Sequence, residues 1–330
     1  MKAAYITRTG PPEVIEFGDL PDPVPTPTQC RIQVRAVDVN PIDVYWRSGA
    51  VSAQMPFPFI LGRDLAGVVV ECGEQVRHFQ VGDRVWCSNL GFAGRPGSFA
   101  QFAAVDEEWL HLIPPSVRDE DIVANALSGI TTHLGLVSRA QLKAGETLFV
   151  NGGSGGVGSC VVQMAKILGA RVITTAGSEA KAAICRELGA DLVLNYQTQD
   201  VDAAVREFAP DGVNVWWETL REPDFDRVVA LLAKRGRMVL MAGREARPAF
   251  PVGPFYVKDC ALHGFAMFNA GAEEQRPAAD AINDWMAKGK LKARIDRVLP
   301  LAEAAQAHRL QEESTVQKTG VLAGKIVLKP

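Results

Sequence analysis

The stretch FVNGGSGGVGS, residues 149–159, contains two overlapping motifs that support different chemistry. Gly152 to Gly156 fits G-x-S-x-G, the sharp turn that presents a nucleophilic serine in serine hydrolases, with Ser154 as the nucleophile. Gly153 to Gly158 fits G-x-G-x-x-G, in which glycines let backbone N–H groups approach a dinucleotide pyrophosphate at a helix N-terminus. The surrounding sequence has to distinguish the two.

The neighbouring elements favour the dinucleotide. An apolar strand candidate, TLFVNG (147–152), precedes the motif, and a helical stretch, 157–168, follows it. In this arrangement Gly153 makes the tight turn, Gly155 opens the approach to the pyrophosphate, and Gly158 lets the helix pack close to the strand. The cofactor-binding candidates in this loop are Gly153, Ser154, Gly155, Gly156 and Val157.

The hydrolase alternative has weaker support. It would take His263 or His308 as its base, but most chains of this length contain some histidine after a given serine. An upstream H-G-G-G-type oxyanion segment is absent, and a long β-rich region precedes the motif where a hydrolase sheet would already run. We therefore interpret Ser154 as a loop hydroxyl near phosphate.

The end of the second strand candidate, RVITTAG (171–177), bears on the choice between NAD and NADP. An NAD site places Asp or Glu there to bind the ribose 2′-hydroxyl, but this chain has Ala176 and Gly177. Ser178 is a predicted helix N-cap, which places Glu179 in the first helical turn, where a carboxylate complements the helix dipole. The acid of an NAD site is therefore missing.

Lys181 in that same turn has the wrong sign for the helix dipole, at a cost of roughly 0.3–1 kcal/mol. A contact to a 2′-phosphate, worth roughly 1.5–3 kcal/mol, would outweigh that cost and favour NADPH over NADH. A solvated surface lysine is the alternative. The 2′-phosphate candidates are Ser178, Lys181 and Tyr196.

The elements that position these residues fall into two regions. Up to about residue 113, short β-rich runs separated by Pro and Gly predict a barrel or sandwich, and from residue 146 strands alternate with helices, as in a parallel sheet. Helices are predicted at 157–168, 179–188 and 224–234, the last with a glycine C-cap at Gly236. The six predicted strands are 147–152, 171–177, 192–196, 213–219, 237–243 and 261–268.

Composition limits the class of protein. The 330 residues suit two domains, and no apolar run is long enough to cross a bilayer. The net charge is −3 and the 35 basic residues are scattered, so neither a nucleic acid nor a membrane surface is an expected partner. The six cysteines include no C-x-x-C pair, and H-E-x-x-H is absent, so no metal is predicted. The N-terminus does not resemble a signal peptide, and a cytoplasmic location is expected.

Several segments along the whole chain together resemble one family. They are VDVNPIDVYWRSG (37–49), FILGRDLAGVV (59–69), VGDRVW (81–86), NGGSGGVG (151–158) and GKIVL (324–328). These segments look like the zinc-independent, ζ-crystallin-like quinone oxidoreductases of the medium-chain dehydrogenase/reductase superfamily. The resemblance implies an α/β protein with a GroES-like β-barrel domain (1–122 plus 269–330) and a Rossmann-type, doubly wound NADP-binding domain (123–268).

The resemblance also implies chemistry without a metal. Zinc alcohol dehydrogenases of the superfamily have a cysteine in the region 40–42, and Gly-His-Glu where this chain has Gly62-Arg63-Asp64. We therefore expect an NADPH-dependent, zinc-free transfer of hydride to a quinone in the interdomain cleft. The catalytic candidates are Asn40, Asp43, Tyr45 and Arg63, with Asn40 and Thr131 also near the cofactor. Alternatively, Asn40-Pro41 forms a turn, Asp43 caps a helix, and Arg63-Asp64 is a local ion pair.

Two departures from the family affect the choice of acceptor. A tyrosine that relatives carry after the RSG segment as a possible proton donor is missing from RSGAVSAQMPF (47–57), which favours a quinone over an α,β-unsaturated carbonyl compound. In VWWETLREPDF (215–225), Glu218 and Leu220 replace the usual Asp and Gly. A non-catalytic dinucleotide-binding protein is an alternative of another class.

The ends of the last two strands complete the expected site. Additional cofactor-binding candidates there are Met241, Ala242, Gly243, Phe265 and Phe268. The strand 261–268 would expose unpaired backbone groups at the sheet edge in a monomer. We therefore expect a homodimer that pairs through this edge.

Overall fold

The computed structural model describes residues 1–51, 55–317 and 319–330. The chain divides into two compact units, one of Met1–Ile130 and Ala270–Pro330, and one of Thr131–Asn269. The sequence-based domain limits, 122/123 and 268/269, stay a prediction. Residues 52–54, in the segment that lacks the family tyrosine, lie outside the described residues. Within the described ranges, no helix is long and apolar enough to span a membrane.

The two units contain sixteen strands and nine α-helices in the described part of the chain. The strands are β1 Lys2–Ile6, β2 Ile15–Asp19, β3 Gln29–Val39, β4 Phe59–Ile60, β5 Leu65–Cys72, β6 Arg84–Cys87, β7 Phe102–Asp106, β8 His111–Leu112, β9 Thr147–Val150, β10 Arg171–Ala176, β11 Leu192–Asn195, β12 Val213–Glu218, β13 Leu232–Leu240, β14 Ala261–Gly264, β15 Ile295–Pro300 and β16 Lys325–Lys329. The helices are α1 Pro41–Ser48, α2 Asp119–His133, α3 Gly156–Ile167, α4 Glu179–Glu187, α5 Val201–Phe208, α6 Phe225–Leu231, α7 Val252–Val257, α8 Ala272–Ala287 and α9 Ala304–Thr315.

The second unit is a parallel sheet with strand order β11-β10-β9-β12-β13-β14. The chain starts at the centre with β9, runs to one edge, and returns to build the other half, which is the doubly wound order 3-2-1-4-5-6. Phe149 and Trp216 on the two central strands stack with ring centroids 3.9 Å apart, and both are fully buried. The predicted Rossmann-type fold is confirmed.

Helix α6 ends earlier than the sequence predicts. The expected helix 224–234 with a C-cap at Gly236 is wrong, because α6 stops at Leu231 and Gly236 lies inside β13. The Lys258 ammonium provides the cap instead, since its Nζ donates to the carbonyls of Val229 at 2.8 Å and Leu232 at 2.8 Å. Lys258, which follows α7, thus provides the hydrogen bonds that the last carbonyls of α6 need, and a glycine C-cap is not used here.

The last strand of this sheet is also shorter than expected. β14 ends at Gly264 rather than at 268, and Met267–Asn269 form a 3-10 turn. Phe265 and Phe268 therefore follow the strand instead of ending it. β14 is the terminal strand in the sheet order, next to β13. Pairing of this edge with a second copy stays a prediction.

The first unit is built on β3, an eleven-residue strand that lies between β5 and β16 and also pairs with β7. Its side chains alternate between buried and less buried positions at the start and are continuously buried from Ala36 to Val39. Burial on both faces there brings polar side chains at the strand end into the interior. This unit corresponds to the predicted GroES-like domain and contributes the catalytic candidates.

His308 on α9 is fully buried in the first unit. Its ring packs edge-to-face on Phe99 with centroids 5.9 Å apart. Burial, together with the charge of Arg47, lowers the pKa of His308 to about 3. The folded protein therefore keeps this imidazole neutral at pH values where an unfolded chain, with an ordinary pKa of about 6.5, protonates it.

We predict an acid-dependent loss of stability from this histidine. Its contribution is fully present above about pH 6.5 and falls by about 1.4 kcal/mol for each pH unit below that, until the folded pKa is reached. Urea unfolding of His308→Leu and of the unmodified protein at pH 6.5 and pH 5 measures the difference. The variant is expected to lose about 2 kcal/mol less over this interval.

Phe99→Leu is the matched control, because it changes the packing around the same ring without removing a titratable group. Its effect on the free energy of unfolding is expected to be the same at both pH values. Equal acid losses in His308→Leu and the unmodified protein would contradict the assignment.

Candidate active site

The glycine-rich loop after β9 has no room for side chains at two positions. A Cβ at Gly158 would lie 2.2 Å from the carbonyl oxygen of Gly152, and one at Gly153 would lie 2.4 Å from Thr174 Oγ1. The close helix–strand packing predicted for Gly158 is therefore present. The left-handed turn, however, is at Gly152, with φ of +66°, rather than at Gly153. A side chain at position 153 or 158 would clash, and the positive φ at position 152 favours glycine there too.

The N-terminus of α3 remains open to a ligand. Its N-cap is Gly155, which offers no side-chain hydrogen bond to the first turn. Gly155 is exposed, and a Cβ there would meet only the Gly152 carbonyl oxygen, at 3.4 Å. Backbone N–H groups at the start of a twelve-residue helix, with space beside them and no side-chain cap, fit an anionic phosphate group. Ser154 is buried in the same loop.

Two neighbouring strands hold the loop in place. On one side, Thr175 Oγ1 accepts from the Gly152 N–H at 3.0 Å. On the other side, the Asn151 side chain donates from Nδ2 to Glu218 Oε1 at 3.1 Å. Sequence reasoning singled out neither Thr175 nor Asn151. Thr175 is near the end of β10, which pairs with β9, and Asn151 directly follows β9. This position at the ends of neighbouring strands is the signal that could have identified them.

Glu218 is a buried carboxylate surrounded by donors. Its Oε1 also accepts from the Leu220 N–H at 2.7 Å, and its Oε2 accepts from Trp216 Nε1 at 3.0 Å. Burial raises the pKa of Glu218, and the donated hydrogen bonds offset part of that rise. Glu218, which replaces the usual family residue, thus links the end of β12 to Asn151, the first residue of the glycine-rich loop, by a hydrogen bond.

The three 2′-phosphate candidates lie together at the start of α4. Ser178 is the N-cap, as predicted, and its Oγ accepts from the Lys181 backbone N–H at 3.3 Å. The Tyr196 hydroxyl lies over Gly177, because a Cβ at Gly177 would be 2.4 Å from it. Glu179 points to Arg186 instead, in an ion pair of 2.5 Å. One hydroxyl group, one phenol and one lysine therefore flank the end of β10.

Two candidates that follow β13 and β14, Met241 and Phe265, lie close to Trp217. Its indole Nε1 donates to Met241 Sδ at 3.1 Å, and Met241 precedes Ala242 and Gly243 in a partly exposed loop. On the other side of the ring lies Gly135, where a Cβ would clash at 2.3 Å with Trp217 and sit 3.3 Å from Phe265. Gly135 is in a π-helical turn, 134–139, that continues α2. Trp217 therefore helps to position the loop after β13.

Thr131 and Phe268 are the two other candidates of this unit. Thr131 is buried near the end of α2, four residues before Gly135. Phe268 is partly buried in the 3-10 turn. Their contact with a cofactor stays a prediction.

In the first unit, Asn40 is the centre of a buried polar network. Its Nδ2 donates to Asp38 Oδ1 at 3.0 Å and to Asp64 Oδ2 at 2.8 Å, and its Oδ1 accepts from Lys325 Nζ at 2.5 Å. Lys325 Nζ also lies 2.6 Å from Asp38 Oδ2. The Asn40 side chain also accepts from the Asp43 backbone N–H in the capping box of α1, so its amide protons and its carbonyl oxygen are all engaged within the protein.

Asp43 and Arg63 form a second part of this network. Asp43 Oδ2 accepts from the Asn40 backbone N–H at 2.9 Å, so it does cap α1, and its Oδ1 accepts from Arg63 Nε at 3.2 Å. Arg63 Nη1 donates to the carbonyls of Leu90 and Gly91. The predicted alternative of a local Arg63-Asp64 ion pair is not what is found, because the guanidinium turns toward Asp43 and lies over the Trp46 ring at 4.4 Å.

Three carboxyl groups, those of Asp38, Asp43 and Asp64, face the two cations Arg63 and Lys325 in this network. Burial raises the pKa of Asp43 to about 6, against the opposing charge of Arg63. Burial and the adjacent Asp38 raise the pKa of Asp64 well above its usual range. The Asp64 carboxyl group accepts from Asn40 Nδ2 and from Ser88 Oγ, so both of its oxygens have donors inside the network.

Tyr45 on α1 is partly exposed, while Asn40, Asp43 and Arg63 are buried. The structure thus brings Asn40, Asp43 and Arg63 into one hydrogen-bonded group. Sequence reasoning missed Lys325 as a member, although its segment was noted as a family motif. A direct contact of these four residues with a substrate stays a prediction.

We predict that Glu218→Gln destabilises the glycine-rich loop between β9 and α3. The new amide N–H group would face donors from Trp216, Asn151 or Leu220, leaving at least one of them unpaired, at a cost of about 2 kcal/mol in the free energy of unfolding. Urea unfolding and dinucleotide titration by fluorescence measure stability and binding, and both are expected to weaken. Glu207→Gln, at an exposed position of α5, is the control. Unchanged dinucleotide affinity in Glu218→Gln would refute this role.

Comparisons with known proteins agree with this geometry. Residues 26–115 match the alcohol dehydrogenase GroES-like domain, and residues 156–284 match the zinc-binding dehydrogenase domain. Quinone oxidoreductase from Sus scrofa is 31% identical over 331 residues, which cover 99% of this chain and 97% of the relative.

Two solved structures share the whole fold. An NAD-dependent alcohol dehydrogenase superposes with a TM-score of 0.90 at 30% identity, and a mycobacterial protein complexed with NADPH superposes with a TM-score of 0.87 at 30% identity. In each comparison all of this chain and all of the other chain are covered. The chain therefore belongs to the quinone oxidoreductase family of the medium-chain dehydrogenases/reductases and is an oxidoreductase.

Proposed function

We propose that the protein is an NADPH-dependent, zinc-free reductase that transfers hydride to a quinone. The observation that carries the proposal is the open N-terminus of α3 together with the end of β10, where no acid is present. Ser178 and Lys181 follow β10, and the hydroxyl of Tyr196, which follows β11, lies over Gly177. A bound nicotinamide would supply the hydride, and the protein would bind, orient and polarise.

Residues at the end of β10 support NADPH over NADH. One structural relative is named for NAD and another holds NADPH, so the fold alone does not decide the cofactor. Ala176 and Gly177 supply no carboxylate to bind a ribose 2′-hydroxyl or to repel a 2′-phosphate. Lys181 and the hydroxyl groups of Ser178 and Tyr196 supply one positive charge and two donors. This set fits a phosphate better than it fits a diol.

The buried network around Asn40 supports chemistry without zinc. The ammonium of Lys325 lies among Asp38 and Asn40, in the region where zinc-dependent relatives place a cysteine, and the Arg63 guanidinium replaces a ligand histidine. Lys325 and Arg63 are paired with Asp38 and Asp43, so these carboxylates are already engaged and are not available as metal ligands. The zinc-binding dehydrogenase match covers residues 156–284, which include neither Asn40 nor Arg63.

The same network provides fixed electrostatics for an electron-poor acceptor. Arg63 is buried and held by Asp43, so its charge is oriented before any substrate binds. Asp64 accepts hydrogen bonds from Asn40 and Ser88 within the network, so its direction is fixed as well. An acceptor that takes its protons from water, such as a quinone, needs no further donor from the protein. The location of the acceptor between the units, a cytoplasmic location and a homodimer through β14 stay predictions.

The acceptor panel is the direct test. We expect NADPH oxidation, followed at 340 nm, to be fast with 1,4-benzoquinone and 9,10-phenanthrenequinone and at least tenfold slower with an enone. Faster turnover with the enone would move the assignment to the reduction of activated alkenes. NADPH binding without turnover on the whole panel would instead indicate a non-catalytic protein. Activity that survives extensive dialysis against a chelator is expected, and its loss would refute the zinc-free proposal.

Lys181→Glu tests the cofactor preference. Since a charge-assisted contact to phosphate is worth roughly 1.5–3 kcal/mol, the unmodified protein is expected to bind NADPH at least about tenfold more tightly than NADH. The variant is expected to lose this preference, as measured by fluorescence titration of both cofactors at one ionic strength. Lys234→Glu makes the same charge change at an exposed lysine near the opposite end of the strands and is expected to keep it. Equal preferences in the two variants would contradict the role of Lys181.

A further inference from the structure

Two cysteines of the first unit face each other across neighbouring strands. Cys30 on β3 and Cys72 on β5 are opposite in the antiparallel register, and their Sγ atoms are 3.9 Å apart. Both are free thiols, Cys30 fully buried and Cys72 partly exposed. Neither cysteine belongs to the candidate active site described above.

The strand geometry suits a disulfide bond. The next pair along the ladder is hydrogen-bonded, since the Gly73 N–H donates to the Gln29 carbonyl at 2.8 Å, so Cys30 and Cys72 occupy a non-hydrogen-bonded position. Cα atoms at such a position are about 4.5 Å apart, within the range of roughly 4.4–6.8 Å that disulfides span. On the other side of the cysteine pair, Arg31 and Glu71 are opposite each other, and their side chains form an ion pair of 3.0 Å that helps to keep the two strands aligned.

We propose that Cys30 and Cys72 form a reversible intramolecular disulfide when the protein meets a hydroperoxide. The bond would join the two strands that lead to the polar network, because the chain between the two cysteines includes Asn40, Asp43 and Arg63. In the oxidised form the disulfide joins the two ends of the segment between Cys30 and Cys72, which restricts separation of β3 and β5. A thiol reductant breaks the bond and restores the two free thiols.

The two sulfurs take different roles in the reaction. Burial raises the pKa of Cys30 to about 12, so the partly exposed Cys72 is the sulfur that reacts with the oxidant. The Cys72 sulfur is oxidised to a sulfenic acid as the O–O bond of the peroxide breaks and an alcohol or water leaves. The Cys30 sulfur then attacks it, the S–S bond forms, and the hydroxyl group departs with the Cys30 proton as water.

The oxidised enzyme is expected to remain active. Cys72 lies eight positions beyond Asp64 along an extended strand, which at about 3.3 Å per residue places them roughly 25 Å apart. The bond changes the stability of the segment rather than the chemistry of the network. We expect its effect to appear under denaturing stress.

Peptide mapping tests the disulfide. The full-length protein is treated with a small excess of hydrogen peroxide, quenched in acid, alkylated and digested, and the peptides are analysed by mass spectrometry. We expect a linked peptide that contains Cys30 and Cys72, two hydrogen masses lighter than the reduced pair, and removed by dithiothreitol. Oxidation of Cys72 to the sulfinic acid with Cys30 still alkylated, or intermolecular links only, would overturn the proposal.

Matched variants separate this pair from general thiol oxidation. Cys72→Ser and Cys30→Ser are each expected to lose the linked peptide, and Cys72→Ser, at a partly exposed position, is the milder change. Cys260→Ser is the control, because Cys260 is also partly exposed but has the Ala233 carbonyl as its sulfur contact, at 3.8 Å. It is expected to keep the linked peptide.

Loss of activity in urea tests whether the disulfide restricts separation of β3 and β5. The oxidised protein is expected to retain reductase activity to a higher urea concentration than the reduced protein, and Cys72→Ser is expected to show equal midpoints before and after peroxide. For the unmodified protein, a linked peptide without any difference in the urea midpoint would overturn this role of the disulfide.

Discussion

A missing side chain at position 158 is the constraint on which the nucleotide-binding unit depends. Because Gly158 has no Cβ, the start of α3 can lie against the Gly152 carbonyl, and the backbone N–H groups of the first turn then face outward without a side-chain cap. The helix end is therefore open to an anion. Glu218 and Thr175 hold the loop from the two neighbouring strands, so the open end is preorganised rather than formed on binding.

The first unit is also preorganised, but there the fixed polar groups are side chains and not backbone N–H groups. The network around Asn40 keeps charges in the interior only because each has a partner, Lys325 for Asp38 and Arg63 for Asp43, while Asp64 accepts from Asn40 and Ser88. Removing one partner would leave a buried charge uncompensated. Both units thus present polar groups whose directions are fixed by the fold before any ligand arrives.

Much of this organisation could be predicted from local sequence. The glycine spacing and the alternation of strands and helices predicted the doubly wound sheet, and the Ser178 cap was identified from its residue type and position. What local sequence could not supply were contacts between distant segments. Lys325 reaches Asn40 across 285 positions, and Lys258 caps α6 from the far side of β13, so no periodicity reports either contact. The sequence marked Glu218 only as a departure from a family pattern. Its donor Asn151 comes close to it only when β9 and β12 pair, so the set of three donors could not be predicted from local sequence.

The long strands β3 and β5 show how one element can serve two separate requirements. At their inner ends the strands lead to Asn40 and Asp64, where any change of register would move the buried charges away from their partners. At the other ends, Cys30 and Cys72 share one register position. A covalent bond there would oppose separation of the strands without altering the hydrogen bonds of the network. Because the register of this strand pair shifts between Arg31 and Ile32 and again between Val34 and Ala36, the bond would oppose separation of the outer strand ends and leave the alignment at the network as it is.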